Sequence, residues 1–533
     1  MTAAMWRVFG WSLLMLLVVE ALTGVALAAF YSPSATNAWA SVAYVQDQMP
    51  WGWFVRGLHF HAGSAIMLVA GVHLLQVALA GTYKQPRAVV WWLGLVLLVI
   101  VLGFAISGYV LRWDQAGYWA NRVEVGIAAG APIFGSAIQK IAVGGNEYGN
   151  LTLTRFYTLH VMVLPALTVL GVLAHVVLAR RHTPFTWSDG LRQALVMAVV
   201  FAILIGYVMS THGADLAAPA DPSVAYDARP LWYFRWLFEL RHLAGSAEKI
   251  VALLSPAIVA GFLVALPLVD KGTTPQQRLP WIAGVVGLFT LIGVLTIASF
   301  GADSGDADLA KRQQQAEQVA SRTRALAVKY GVPATGPADI KLQIPMYRAR
   351  SLYEQRCKGC HDAQSKDRKG PIIAPGHGDR AWLTAFLKAP GGDAYWGHTK
   401  LAKTDNAMKP VELADNDLAD LAELLYAQSG ATDVDAAKSA RGKTIFDKAC
   451  TDCHAIDEGV AGSSAPGLGG LGSRDYYTSF IGNPKSAVHM GADKSQMPRF
   501  DKELSLADRD ALAEYLVWLR TATQHDIDLL EPL

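Results

Sequence analysis

The sequence predicts a mostly α-helical protein in two unlike parts: a polytopic transmembrane helical bundle followed by two small all-α domains. Three observations predict it. Apolar residues make up 52% of the 533 residues and charged residues only 17%, against roughly a quarter in soluble domains. The apolar residues concentrate in the first 300 residues, in seven runs long enough to span a bilayer. All four cysteines lie in the remainder, as two copies of C-x-x-C-H. A net charge of +2 marks no partner, and no concentrated basic aromatic surface points to nucleic acid.

The spans fall near residues 8–30, 56–80, 89–111, 153–179, 190–210, 248–269 and 280–300. The first, WSLLMLLVVEALTGVALAAF, is long for a cleaved signal core and is read as a retained helix. Basic residues set the orientation. Lys84 and Arg87 lie between spans two and three, Arg180 and Arg181 end span four, and DKGTTPQQR follows span six. The positive-inside rule turns these three segments to the cytoplasm. Seven spans with an inner N-terminus put the tail outside, where bacteria attach haem to C-x-x-C-H. The long outer loops 31–55, 112–152 and 211–247 are rich in Trp and Tyr, which suits a membrane interface.

Spans two and four carry histidines in register. His59 and His73 are fourteen residues apart, about 21 Å along a helix and nearly four whole turns. His160 and His175 are fifteen apart, four turns and a sixth. Both spans run from outside to inside, so His59 shares the outer depth with His160, and His73 the inner depth with His175. A single intramembrane histidine reads equally well as a hydrogen-bonding partner for a neighbouring helix. Four in a two-by-two register point instead to two bis-imidazole haem b groups, one above the other, since such residues are expensive in lipid. His61 points off that face. Gly10 and Gly24 in span one, and Gly94 and Gly108 in span three, repeat the fourteen-residue period and leave room for porphyrin faces. Arg56 and Arg87 are counted with these glycines as haem-binding residues.

These residues carry a resemblance. RGLHFHAGSA, GTYKQPR, GYVLRWDQAGYW, GNLTLTRFYTLH, PADPS and RPLWYFRWLFEL make about residues 5–300 similar to cytochrome b of the bc1 and b6f complexes. The fifteen-residue spacing and seven spans resemble b6 plus subunit IV in one chain. The resemblance implies a haem bundle with a fifth helix over 1–210 and a quinol-site region over 211–300. It implies quinol oxidation at the outer side and quinone reduction at the inner side. Pro230, Trp232 and Tyr233 match the family's outer-site P-E-W-Y, but Leu231 replaces its glutamate and cannot accept a proton. Arg112 stands where the family has proline. No cysteine precedes Cys357, so the extra haem of b6 chains is not expected. Asp114 is the preferred substitute proton acceptor, with Asp227 and Glu239 as rivals. Each also reads plainly as an interfacial acid paired to Arg112, Arg229 or Arg235.

Residues 301–341 are charged and alanine-rich and read as a helical linker. Cys357 and Cys360 then offer thioethers to a covalent haem c, with His361 for its iron. Roughly 90 residues later Cys450, Cys453 and His454 repeat the pattern. A thiol redox pair or zinc site is the alternative for either copy alone. Each copy has a methionine downstream, Met408 in the first and Met497 in the second, with Met490 a weaker rival. A thioether caps haem iron and raises its potential. A methionine filling a core is the plainer reading. Both segments, 342–430 and 433–525, resemble class I cytochrome c.

The whole chain resembles the core of a quinol:cytochrome c oxidoreductase. The resemblance implies a separate Rieske iron–sulfur protein, since this chain has no cysteine set for a cluster. It also implies a periplasmic cytochrome c or similar acceptor, a homodimeric complex with room for small membrane subunits, proton translocation, and a bacterial inner membrane. Two other readings remain at this stage: a b-type anchor for a dehydrogenase or hydrogenase, and a non-catalytic electron-transfer scaffold.

Overall fold

The computed structural model describes residues 9–145, 147–181, 187–344, 346–404, 407–491, 494–528 and 530. They form two compact units that divide after Ile340. Neither contains a β-strand among the described residues. An isolated bridge joins Asp114 to Pro219.

The first unit follows the order α1 (Phe9–Ala28), α2 (Ala38–Asp47), α3 (Gly52–Ala80), α4 (Ala88–Leu111), α5 (Gln115–Ala129), α6 (Gly135–Val143), α7 (Asn150–Arg181), α8 (Trp187–Thr211), α9 (Arg235–Ala244), α10 (Glu248–Val269) and α11 (Pro275–Gly305). Among the described residues, seven apolar helical stretches are long enough to cross a membrane, the sixth running from Trp232 through α9 and α10. This is a multi-pass membrane protein. Its outward residues confirm the setting: Leu22, Val25, Val99, Leu170, Ile203 and Ile297 are 65–74% exposed, a surface suited to lipid rather than water.

The turns of each side are tied together. Between α3 and α4, Lys84 Nζ donates to Asp270 at 2.8 Å and Tyr83 donates to the same carboxylate. Arg278 Nε reaches Asp270 at 3.3 Å, and its Nη2 caps the carbonyls of Ala78 and Leu79. Burial would raise the Asp270 carboxyl, but these donors hold it below its usual range. The cluster puts the second-to-third and sixth-to-seventh turns on one side, as the basic residues require. On the other side Asp114 caps α5, accepting from Gly117 N at 2.8 Å and Ala217 N at 3.0 Å. Gln115 N donates to Ala218 O, and Ala220 N to Trp113 O. The loop after α8 thus lies against the start of α5.

The segment after α11 is more than a tether. α12 (Ala307–Tyr330) begins at the Asp306 cap and buries Leu309, Ala320, Thr323, Leu326 and Ala327, roughly a helical stripe. Arg324 pairs with Asp47 and Arg312 with Asp227. Asp47 and Asp227 belong to loops 31–55 and 211–247, so α12 packs at the end of the bundle that carries those loops.

In the second unit, α13 (Tyr347–Arg356) precedes the first C-x-x-C-H and is followed by α14 (Arg380–Lys388) and α15 (Asp415–Ala427). α16 (Ala436–Ala449) precedes the second motif and is followed by α17 (Arg474–Gly482) and α18 (Leu506–Leu519). The closing helices are exchanged. α13 packs against α18, through the Tyr353–Tyr515 ring contact at 5.6 Å and the Arg350 to Tyr515 hydroxyl bond at 3.0 Å. α16 packs against α15. Arg441 holds Asp420, and a Cβ at Gly442 would lie 2.1 Å from the Asp420 carbonyl oxygen. Only glycine permits that approach. The crossovers run through Gly376 and Gly378 and through Gly470 and Gly472, all at positive φ. There Gly376 N bonds Leu519 O and Arg520 bonds Ser429.

Candidate redox centres

The outer histidine pair comes from α3 and α7. The His59 and His160 rings have centroids 6.2 Å apart and planes at 76°. Two metal–nitrogen bonds of about 2 Å each, plus the two ring radii, give about that separation. The other nitrogen of each ring is already engaged. His59 Nδ1 meets Glu20 at 2.8 Å and Thr23 Oγ1 at 3.1 Å. His160 Nδ1 meets Ser107 Oγ at 2.9 Å. Such partners orient a ligand imidazole and leave Nε2 for iron. Gly24 and Gly108 stand against these rings: an added Cβ would lie 3.1 Å from His59 Cε1 and 2.7 Å from His160 Cε1.

The fifteen-residue spacing has a specific cause. Leu159–Val163 is a π-helical turn inside α7. It accommodates one extra residue, so His160 and His175 emerge from the same face. At the inner level Gly94 stands 3.3 Å from His175 Cε1 on the same measure. Nδ1 of His73 and of His175 are both buried without a hydrogen-bond partner, an arrangement costly in lipid for free side chains. Gly10 meets nothing within 4 Å. His61 is elsewhere engaged, with Nε2 at 2.8 Å from Gly213 O. Rings, orphaned nitrogens and glycine recesses fit two non-covalent haems.

Arg56, one turn before His59, is buried and hydrogen-bonds Gln46 Oε1, Ala214 O and Asp215 O, each at 2.6 Å. It binds the outer loops to α3. Arg87 sits at the start of α4, at the inner end.

The two C-x-x-C-H sites are near copies. His361 Nδ1 bonds Pro371 O and His454 Nδ1 bonds Pro466 O, both at 2.8 Å. Each bond leaves Nε2 for iron. Gly370 gives His361 room, since a Cβ there would sit 2.5 Å from its Cε1. Cys357, Cys360, Cys450 and Cys453 are free thiols, and burial pushes Cys357 up to about 11. Met408 and Cys450 pack on one core with α15 and Phe446 of α16. Arg356, beside Cys357, reaches Glu503 at 3.8 Å, in the loop that carries Met497 into α18. The exchanged helices therefore bring each methionine toward the other repeat's motif, where the sequence paired Met408 with the first and Met497 with the second. Met490 is buried in the loop after α17.

At the outer loops Pro230 and Leu231 lead into a tight turn, Trp232–Phe234. Arg229 and Arg235 bracket it and both bind Asp303 at the end of α11, Arg229 at 3.0 Å. The acids proposed from sequence are placed differently from one another. Asp114 is fully buried and paired with Arg112 at 3.0 Å, besides capping α5. Removing one partner of such a pair costs about 3–5 kcal/mol, so Asp114 is a structural group with no lone pair to spare. Arg112 also lies over the Tyr109 ring at 4.4 Å. Asp227 is exposed on Arg312. Glu239 is buried without an ion pair among the described residues.

Two acids escaped the sequence reading. Glu20 was visible as an acid inside an apolar span. Glu124 on α5 makes no hydrogen bond or ion pair among the described residues, and burial pushes its carboxyl up to about 8.

The family profile Cytochrome b/b6/petB matches residues 2–183, and the profile Cytochrome c matches residues 347–428 and 439–520. Cytochrome b6 of Cyanidium caldarium is 38% identical over 174 residues, 33% of this chain and 81% of that protein. Cytochrome b6 of Tupiella akineta is 39% identical over 167 residues, 31% of this chain and 78% of that protein. A solved structure titled "Hyperthermophilic respiratory Complex III" aligns with a TM-score of 0.49 at 22% identity, over 55% of this chain and 84% of that one. The chain belongs to the cytochrome b/b6 family, its haem-binding membrane domain fused to two c-type cytochrome domains.

Proposed function

We propose that the chain is the core subunit of a quinol:cytochrome c oxidoreductase in a bacterial inner membrane. Quinol is oxidised near the turn Pro230–Tyr233 at the outer side, quinone is reduced at the inner side, and protons are released outside. A Rieske iron–sulfur partner passes one electron of each quinol to the c domains, which serve a periplasmic acceptor. The observation that carries this reading is the stacked pair of histidine sites across one membrane bundle, below an aromatic outer turn clamped by Arg229 and Arg235.

His59 with His160, and His73 with His175, would hold two b haems. Cys357, Cys360 and His361 would hold one c haem, and Cys450, Cys453 and His454 the other. Following the exchanged helices, Met497 would serve the first and Met408 the second. Haem in these sites takes up and gives away single electrons. The protein keeps the b sites about 21 Å apart along α3, orients each imidazole through its second nitrogen, and walls the haem faces with glycines.

The test is purification of the complex with identification of its subunits, then reduction of a c-type acceptor by a short-chain quinol. Quinol-driven reduction and a co-purifying iron–sulfur protein are expected. A dehydrogenase subunit in its place would establish the membrane-anchor reading instead.

A further inference from the structure

Quinol oxidation at the outer turn needs a base that Leu231 cannot supply. We propose that Glu124 accepts a quinol proton at the outer site, in place of the carboxylate missing at position 231. The assignment rests on the quinol reading above.

The placement comes from three elements. α5 packs against α4 and α10, with Gly130 close to Leu253 of α10. α10 continues the stretch that begins at Trp232. Tyr233 therefore lies within electrostatic range of Glu124, together with Tyr109 of α4 and Glu20 of α1. Tyr109 and Tyr148 also sense the Glu124 charge. Glu239, Asp227 and Asp114 are not among the groups that bear on Tyr233.

The side chain stands at the edge of the α5 face. Asn121 and Val125 beside it are buried, while Arg122, Val123 and Gly126 are exposed. The charged groups around it are otherwise occupied. Arg112 of α4 is held by Asp114, Arg122 lies over the rings of Tyr118, Trp119 and Tyr148, and Glu248 of α10 pairs with Arg241. Among the described residues, neither Lys249 of α10 nor Lys140 of α6 forms an ion pair with it. With no ion pair of its own among the described residues, Glu124 is pushed up by burial to about 8, close to the optimum for a base working near neutral pH.

The balance is simple. One quinol O–H bond breaks and its proton bonds to a Glu124 carboxylate oxygen. The second proton leaves with the iron–sulfur partner. The two electrons leave singly, one to that partner and one into the membrane bundle at the His59–His160 site, where a bound haem would accept it. Glu124 then releases its proton to outer water.

Stopped-flow reduction of the b haems by a short-chain quinol, in the purified complex with the inner site inhibited, reads this step. The wild-type rate should rise with pH through about 8 as the carboxylate form becomes available. E124Q should slow it by roughly 100-fold and flatten the rise, with both b haems still present in the optical spectrum. E124D should keep a rise, displaced in pH. Should E124Q lose its haems, E124D decides alone, and an unchanged profile in it overturns the assignment. A wild-type rate and pH profile in haem-replete E124Q overturn it equally. A wild-type complex that no quinol reduces would instead overturn the quinol reading itself.

Discussion

Alanine at His73 or His175 is expected to remove one b haem and spare the other. The rings at the two levels share no hydrogen bond. His59 and His160 are oriented by Glu20, Thr23 and Ser107, none of which contacts the inner pair. The optical spectrum should fall to half its b content, and redox titration should keep a single b midpoint. His59→Ala or His160→Ala should give the complementary loss. Loss of both haems in the His73 variant would show that the two sites assemble as a unit, since ligand binding is also folding energy. Loss of the outer midpoint alone would invert the depths assigned here.

The second large effect concerns the exchanged c domains. In a C450A/C453A background the remaining c haem sits on Cys357 and Cys360. Met497→Ala should then lower its midpoint by on the order of 0.1 V, within the roughly 0.8 V that axial ligands span. Met408→Ala should leave it unchanged. The reverse result would mean that each repeat closes on its own methionine, despite the packing of α13 on α18.

The contrast between these two sites shows what a linear sequence carries. The histidine ladder was legible because ligand spacing and helix period are local properties. Its one awkward feature, fifteen residues instead of fourteen, was legible as a number but not as a π-turn, which depends on how α7 is hydrogen-bonded at Leu159–Val163. The exchange of α15 and α18 was not legible at all. Both repeats place a small and an aromatic residue four apart, Ala349 with Tyr353 and Gly442 with Phe446, so either closing helix suits either opening one. Asp303, the shared partner of Arg229 and Arg235, lies more than sixty residues downstream. The arginines were therefore assigned in sequence to nearer acids. Asp114 looked like a candidate base because its loop directly follows the third span, with Gly94 and Gly108. The pair with Arg112 was the plainer reading and is what the structure shows, but the bond from Ala217 N that completes its coordination appears only once the loop after α8 folds onto α5. Glu124 was overlooked for the converse reason: nothing beside it in sequence reveals that its carboxyl is buried without an ion pair among the described residues.

The central claim is that one chain holds four haems, two in the membrane and two on its tail. Pyridine haemochrome quantification of the purified complex, set against the amount of this chain, measures it directly. The account predicts two b and two c haems per chain, with the c haems remaining covalently bound after acid–acetone extraction. One b haem or none per chain would contradict the histidine ladder, and fewer than two covalent haems would contradict the paired C-x-x-C-H sites.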